Sequence, residues 1–268
     1  MSVGRLLPRS RIHDAQRRGA CPPRATAIVT LDRKKNKNAL SQDVMVELTD
    51  VALSFYQDRD ISTVILKGTS EIFSAGVDLK DPARWKIAED DIEGIRMSSA
   101  RGPNMCRAWE NIPQLTISAV EGVNVGGGIA LTLCCDWRVV ADNSHMLLPE
   151  AQIGIPLSWQ SVPRLVNLVG PSKAKQLVLL GDELDSKTAL DLGLVDYVVP
   201  SGKALEKALV LAERVNRNPR LVTTLTKQSV NAYANALAHL STHMDVDQAV
   251  LSGMSGAAVQ ARSRFGSR

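Results

Sequence analysis

The chain has 268 residues, 44% of them hydrophobic and 22% charged, which is typical of a globular protein that can bury a sizeable core. Its net charge of +4 comes largely from the first 24 residues, so the body of the protein lacks the basic surface of a nucleic-acid-binding protein. The four cysteines form no Cys-x-x-Cys pair and no apolar run approaches the length of a membrane span, which argues against a zinc site, a disulfide framework and a transmembrane helix.

Residues 1–24 form a basic segment that we predict to be a disordered tail. They contain six arginines and a single acid, Asp14, and Pro8, Pro22 and Pro23 disfavour an amphipathic helix. Arginine-rich, acid-poor segments are also typical of transit peptides, so a removed leader is the alternative. We therefore expect a cytoplasmic protein, or one of the mitochondrial matrix if the tail is a transit peptide.

Strands and helices are predicted to alternate up to about residue 145. Runs of β-branched residues indicate strands, and apolar residues at helical spacing indicate helices. Such alternation predicts a parallel or mixed sheet with crossover helices, and therefore an α/β fold. The predicted strands are 25–31, 61–67, 116–120 and 137–141, with a short apolar segment at 72–77. The predicted helices are about 41–57, 101–111 and 126–135, and the polar, irregular stretch 81–104 is expected to be a helical or mobile insert.

Beyond residue 160 the pattern is almost entirely helical. The predicted helices lie near 172–181, 186–193, 203–217, 219–238 and 241–264 and are separated by glycine and proline. We therefore predict three parts: the tail (1–24), a core (25–200) and a C-terminal helical region (201–268).

Three consecutive glycines, Gly126, Gly127 and Gly128, follow an apolar strand and open an apolar helix. Glycine is costly inside a helix, so glycines in its first turn indicate that something approaches the backbone closely. The unpaired N–H groups there favour a negatively charged oxygen. Close packing of another helix explains the glycines equally well. The sequence lacks the Gly-Lys-Ser/Thr of a phosphate loop and the glycine spacing of a dinucleotide fold, which disfavours a nucleotide-binding protein.

Two further segments carry weaker signals. In residues 72–79 a small pair, Ala75 and Gly76, interrupts an apolar stretch and offers a second exposed backbone N–H, although a tight turn capped by Asp78 explains it too. In residues 148–156 Glu150 lies in an otherwise uncharged stretch. A carboxyl group in apolar surroundings has a raised pKa that suits proton transfer near neutral pH, whereas a solvated loop glutamate has no such role.

Together, and in this order, the segments resemble the crotonase superfamily, which includes enoyl-CoA hydratases and isomerases. The resemblance covers about residues 25–265 and is carried by LDRKKNKNALS (31–41), FSAGVDL (73–79), EGVNVGGGIALTLCCDWRVVAD (121–142), PEAQIGIP (149–156) and residues 170–199. It implies a crotonase (ClpP-like) ββα spiral core with a helical C-terminal trimerisation region. The resemblance also implies a homotrimer or a dimer of trimers.

The resemblance implies a substrate and a set of site residues. An acyl-CoA thioester would place its carbonyl oxygen between the N–H groups of Val77 and Gly127, with Glu150 as the proton-transferring carboxylate. CoA would be part of the substrate, and no separate cofactor, metal, membrane or nucleic acid is implied. The substrate-binding residues implied by the resemblance are Ala75, Gly76, Asp78, Leu79, Gly126, Lys35, Lys37, Ala39 and Pro149; Ala75 would contact the adenine, and the basic turn 33–37 would lie near the phosphates.

Two departures from the family pattern bear on the reaction. Hydratases of the family carry two glutamates, and this chain has Ala130 where the first is expected. Dienoyl-CoA isomerases place an aspartate where this chain has Ser158. One carboxylate is sufficient to move a proton from C2 to C4 of a 3-enoyl-CoA, so we predict an isomerase. A hydratase, or an acyl-CoA-binding homologue without chemistry, is the alternative.

The remaining candidates are interpreted as structural. His239 and His243 are four residues apart in the predicted C-terminal helices, which indicates a chance helical pair and not a metal site. Asp136 and Asp142 are expected to cap or to pair with Arg138. The other candidates, expected in the core or in the lining of the acyl pocket, are Trp85, Trp109, Trp159 and Met97.

Overall fold

A computed structural model describes residues 25–33, 36–85 and 91–266. The predicted tail and Lys35 lie outside the described residues. The strands are β1 (Ala25–Thr30), β2 (Ile61–Lys67), β3 (Ile72–Ser74), β4 (Leu115–Val120), β5 (Val123–Val125), β6 (Trp137–Ala141), β7 (His145–Leu147), β8 (Leu184–Asp185) and β9 (Tyr197–Val199). The helices are α1 (Gln42–Ser54), α2 (Pro82–Trp85), α3 (Ile92–Ser99), α4 (Arg101–Glu110), α5 (Gly127–Thr132), α6 (Ser161–Leu180), α7 (Ser186–Asp191), α8 (Ala204–Asn216), α9 (Arg220–Ala234), α10 (Ala238–Thr242), α11 (Asp245–Gly253) and α12 (Gly256–Gly266).

The larger sheet contains five parallel strands in the order β1-β2-β4-β6-β9. Apolar side chains are buried on both of its faces, as expected for a parallel sheet covered by helices. On one face Val64 and Leu66 pack into the main core with α1, α4 and α5. On the other face Ile65 and Ile117 pack against α8. Helix α8 therefore belongs to the same folded unit as this sheet.

The smaller sheet positions the loops that matter for function. Its strands lie in the order β3-β5-β7-β8; β3, β5 and β7 are mutually parallel and β8 is antiparallel to β7. Because the carboxyl ends of parallel strands meet at one edge, the segments that follow these three strands lie side by side. Those segments are 75–79, 126–127 and 148–150, and they belong to the three regions in which the sequence predicts the site residues.

The N-terminal half largely follows the sequence prediction. Ser41 caps α1 by accepting a hydrogen bond from the Val44 N–H, as predicted for an N-cap serine. The prediction missed β5 and β7, and the expectation that residues beyond 160 are almost entirely helical is wrong at β8 and β9. Each of these four strands has two or three residues, too few for an alternating pattern to emerge. In the described part of the chain no helix has the length and apolarity needed to cross a membrane.

Helix α6 begins earlier than predicted and contains a break. It starts at Ser161 and loses helical geometry at Gly170, where φ is 75° and ψ is 164°. Pro171 follows directly and lacks a backbone N–H, so the second helical segment begins there without losing a hydrogen-bond donor. The predicted helix start near residue 172 therefore corresponds to this second segment.

Candidate active site

Val77 presents its backbone N–H away from the neighbouring chain segment. Leu40 N–H donates to the Gly76 carbonyl (2.7 Å) and Asp78 N–H donates to the Leu40 carbonyl (3.0 Å), so the residues on either side of Val77 form the bridge to Leu40. In a parallel bridge of this kind the middle residue points its own N–H and carbonyl to the opposite side. The Val77 N–H donates to no backbone carbonyl of the described residues.

A second backbone donor lies next to Val77. Gly127 is the first residue of α5, and its N–H has no intrahelical acceptor. A Cβ atom placed on Gly76 would lie 2.8 Å from the Val125 carbonyl oxygen and 3.5 Å from Gly127 N. The backbone immediately before Val77 is therefore in contact with the residues that open α5. Gly76 has φ +85°, a conformation suited to glycine.

Glu150 is a buried carboxyl group beside these donors. Its side chain has no cationic partner, and Oε2 has no hydrogen-bond partner in the described part of the chain. A Cβ atom on Gly126 would lie only 3.0 Å from Glu150 Oε1, so glycine at position 126 leaves room for the carboxyl group. Burial raises the pKa of Glu150 to about 7, because the charged form loses its hydration; a backbone hydrogen bond lowers it slightly. Glu150 is thus suited to take up and release a proton near neutral pH.

The polar groups of Asp78 all form hydrogen bonds or an ion pair with other residues of the protein. Its carboxylate forms an ion pair with Arg33 at 2.8 Å and accepts from the Lys80 N–H, while its own N–H and carbonyl bond to Leu40 and Asp81. Asp78 therefore holds the loop that carries Val77. Arg33 is held in turn, since it also donates to the Ala39 carbonyl, so this arginine of the basic turn is not directed at a ligand.

The remaining sequence-predicted ligand residues surround the same edge of the small sheet. Ala75 N–H donates to the Lys37 carbonyl at 3.0 Å, so the turn 36–39 is bonded to the segment that follows β3. The side chains of Lys37 and Leu79 are exposed, whereas Pro149 is buried beside Glu150. Because Lys35 is outside the described residues, its placement is not known.

Position 130 bears directly on the number of carboxylates at the site. Ala130 lies in α5, three residues after Gly127, and is 2% exposed. Residues three apart share a helix face, so position 130 lies on the same face of α5 as the proposed donor. The structure thus places a methyl group where the hydratase pattern has its first glutamate.

The predicted pairing of two aspartates can be compared with the ion pairs of the structure. Arg138 forms its ion pair with Asp196, and Asp136 pairs with Lys227, so the expected pairing with Arg138 is wrong. The expected capping contacts are present, since Asp136 accepts from the Thr116 N–H and Asp142 accepts from the Ser201 N–H. Among the described residues, no group of three or more His, Cys, Asp or Glu side chains is placed to hold a metal ion.

The aromatic candidates occupy different environments. Trp109 is fully buried in the core and Met97 is 67% exposed. The side chain of Trp85 is outside the described set. The indole of Trp159 lies against the backbone of Gly127, next to the proposed donor. The sequence alone did not separate Trp159 from the other three, because its position depends on an unusual backbone conformation after residue 157.

The chain is similar in sequence to known proteins over most of its length. A family model described as enoyl-CoA hydratase/isomerase matches residues 23–262. A probable mitochondrial enoyl-CoA hydratase of Dictyostelium discoideum is 30% identical over 76% of this chain and 72% of its own. A crotonyl-CoA hydratase of Syntrophomonas wolfei is 31% identical over 76% of this chain and 77% of its own.

Solved structures are similar in fold. An enoyl-CoA hydratase of Bacillus anthracis is 26% identical with a TM-score of 0.72, covering 93% of this chain and 95% of its own. An enoyl-CoA hydratase of Bacillus halodurans has a TM-score of 0.81 at 19% identity, covering 92% and 98%, and supports the fold alone.

Proposed function

Because the chain belongs to the enoyl-CoA hydratase/isomerase family, we propose that it binds an acyl-CoA thioester and isomerises a 3-enoyl-CoA to the conjugated 2-enoyl-CoA. The thioester oxygen accepts hydrogen bonds from the N–H groups of Val77 and Gly127, and Glu150 moves the proton. The observation that carries this proposal is a single buried carboxyl group, Glu150, placed beside two backbone donors that belong to separate loops.

The two N–H groups act on charge that develops during the reaction. When the C2 proton leaves, negative charge moves onto the thioester oxygen, and fixed dipoles stabilise this charge more than the neutral carbonyl. Loss of one such donor typically raises the barrier by about 2.7–4 kcal/mol. The first turn of α5 adds the positive end of a short helix dipole at the same place.

Glu150 completes the reaction without a second residue. Its carboxylate removes the proton from C2, the C2–H bond breaks, and the electron pair is delocalised over the carbon chain and the thioester oxygen. The same proton is then delivered to C4, where a new C–H bond forms and the double bond shifts to C2–C3. Glu150 is ionised again at the end, so the cycle needs no other reactant.

Hydration of a 2-enoyl-CoA is the second candidate function. The names of the relatives support it, since those at about 30% identity are called hydratases. The chemistry at position 130 opposes it, because alanine cannot position or deprotonate a water molecule. Glu150 alone would then have to activate the water and return the proton.

One assay separates these possibilities. Purified protein receives 3-hexenoyl-CoA or crotonyl-CoA, and the absorbance of the conjugated thioester is followed. We expect absorbance to rise with the first substrate and this rise to be lost in Glu150→Gln. A decrease with crotonyl-CoA would instead identify a hydratase. No change with either substrate, together with retained binding of the thioester, would identify an acyl-CoA-binding protein without chemistry.

We also propose that the chain assembles into a homotrimer or a dimer of trimers through its C-terminal helices. Large apolar side chains are exposed on these helices in the single chain, and covering them would remove apolar surface from water. The most exposed are Leu221 (68%), Tyr233 (88%), Leu237 (73%), Leu240 (73%) and Leu251 (75%). Light scattering coupled to gel filtration measures the mass directly, and a monomeric mass at micromolar concentration would refute the proposal.

A further inference from the structure

Two consecutive residues between the Glu150 turn and α6 adopt left-handed backbone conformations. Trp159 has φ +61° and Gln160 has φ +59°. For residues with a Cβ atom this region costs roughly 1–2 kcal/mol each, and bulky side chains rarely occupy it. Such strain persists only where the surrounding contacts impose it, which makes the segment a candidate for a functional role.

Contacts from three helices hold this segment in place. Arg164 of α6 donates to the carbonyls of Trp159 (2.9 Å) and Gln160 (3.0 Å), and its guanidinium forms two hydrogen bonds of 2.7 Å with Glu110 of α4. Asp245 of α11 accepts from the Gln160 N–H at 2.7 Å. Bidentate arginine–carboxylate pairs are geometrically specific, so this network fixes the direction in which the Trp159 side chain leaves the backbone.

The imposed backbone places the indole between two glycines. A Cβ atom on Gly102 of α4 would lie 2.1 Å from Trp159 Cε2, and a Cβ atom on Gly127 would lie 2.8 Å from Cζ3. The ring therefore rests directly on both backbones. Since N and Cβ of one residue are about 2.5 Å apart, the ring edge lies within about 5.5 Å of Gly127 N.

We propose that Trp159 is the specificity-determining wall of the acyl pocket and restricts the enzyme to short acyl chains. This inference rests on the proposed function, because it takes the thioester oxygen to lie on the Gly127 N–H. The Glu150 carboxyl group flanks Gly126 and the indole flanks Gly127, so an acyl chain that leaves the thioester passes between them. Because the ring edge lies within about 5.5 Å of Gly127 N, a long acyl chain would meet the indole, which the network of Arg164, Glu110 and Asp245 holds in place.

Binding of unreactive thioesters tests the proposed role of Trp159 in chain-length selection separately from the chemistry. Butyryl-, hexanoyl- and decanoyl-CoA lack the double bond, so their dissociation constants, measured by calorimetry, do not depend on turnover. We expect the wild-type protein to bind decanoyl-CoA more weakly than butyryl-CoA. Trp159→Ala should shift the ratio of the two affinities toward decanoyl-CoA by at least about tenfold, the smallest effect usual for apolar pocket discrimination.

Two variants provide the controls. Trp159→Phe keeps a flat ring on the two glycines and should retain most of the preference for butyryl-CoA. Tyr56→Ala removes an aromatic ring that is 41% exposed in the turn after α1 and should leave the ratio unchanged. If Trp159→Ala bound all three thioesters with an unchanged ratio of affinities, the proposed role of Trp159 would be overturned and the proposed function would remain. Failure of the wild-type protein to bind any thioester would overturn both.

A double-mutant cycle tests the position of the ring without any ligand. Gly102→Ala in the wild-type protein introduces a Cβ that clashes with the indole, so its unfolding midpoint in urea should fall. In the Trp159→Ala background the clash is gone, and alanine should be tolerated, because it favours the helix more than glycine does. Equal effects of Gly102→Ala in both backgrounds would show that the ring does not occupy this place and would overturn the proposal.

Discussion

Glu150→Gln should remove activity and at the same time stabilise the protein at neutral and alkaline pH. Glutamine keeps the size of the side chain and the polar oxygen but can neither ionise nor carry the proton. In the wild-type protein the ionised carboxylate is buried without a cation, which is why its pKa rises from 4.5 to about 7. The substitution therefore separates the chemical role of the group from the cost of burying its charge.

The magnitude follows from the two pKa values. In the unfolded chain Glu150 ionises near its ordinary value, and in the folded protein it ionises only near pH 7, so the folded state binds the proton more tightly. The wild-type protein therefore loses stability as the pH rises between these values, by about 3 kcal/mol in all. Glu150→Gln has no such loss, so its advantage over wild type should grow by about that amount across the same window.

Urea unfolding at about pH 4 and about pH 8 measures this difference. Glu71→Gln is the matched control, because Glu71 is exposed and precedes β3 at the end of the strand opposite to the site. In the wild-type protein kcat/KM should rise through about pH 7 as the base ionises. Glu150→Gln should be slower by about two to four orders of magnitude, the usual contribution of a general base. If Glu150→Gln kept the wild-type rate at every pH, or had the same pH dependence of stability as Glu71→Gln, our account of the carboxyl group would be refuted.

Three further predictions concern neighbouring features. Ala130→Glu supplies a second carboxylate and should raise the rate of crotonyl-CoA hydration by about 10²-fold or more over the wild-type protein. An absence of hydration in a folded variant would contradict the role assigned to this position. Gly126→Ala should lower the isomerisation rate, because the new methyl group meets the Glu150 carboxyl group. It should also lower the free energy of unfolding in urea by roughly 1–2 kcal/mol, because φ at this position is +50°. Full activity would show that the carboxyl group has room to move. Lys227→Met breaks the buried ion pair with Asp136 and should lower the free energy of unfolding by about 3–5 kcal/mol. Lys187→Met breaks a fully exposed pair and should have a far smaller effect; equal effects of the two variants would refute the importance of burial.

Much of the fold was predictable because local patterns and tertiary structure agree. Strand β2 and strand β6 have the predicted bounds, since each is a run of apolar and β-branched residues that becomes buried on both faces. The short strands β5 and β7 were not predictable in this way. They are held by parallel neighbours in the small sheet and have too few residues to carry a pattern of their own.

The candidate site was likewise predictable only in part. The glycines at 126 and 127 and the isolated charge of Glu150 are visible in the sequence, because glycine and a carboxylate are unusual in apolar segments. The resemblance to a family connected them. The position of Trp159 was not visible in the sequence. It depends on Arg164, which is held in place by Glu110, and on Asp245; both acids are distant in sequence from the segment before α6.

The use of backbone amides has a consequence for how this protein can diverge. The N–H of Val77 remains a donor when the side chain changes, so most substitutions there leave its hydrogen-bonding capacity intact; at Gly127, the indole packed against the backbone limits the choice. Substitutions at position 77 can therefore change the size of the side chain beside the candidate site while the backbone donor is kept. Under the proposed function, such a change would alter which substrates enter, whereas the backbone group proposed to stabilise the enolate would be retained.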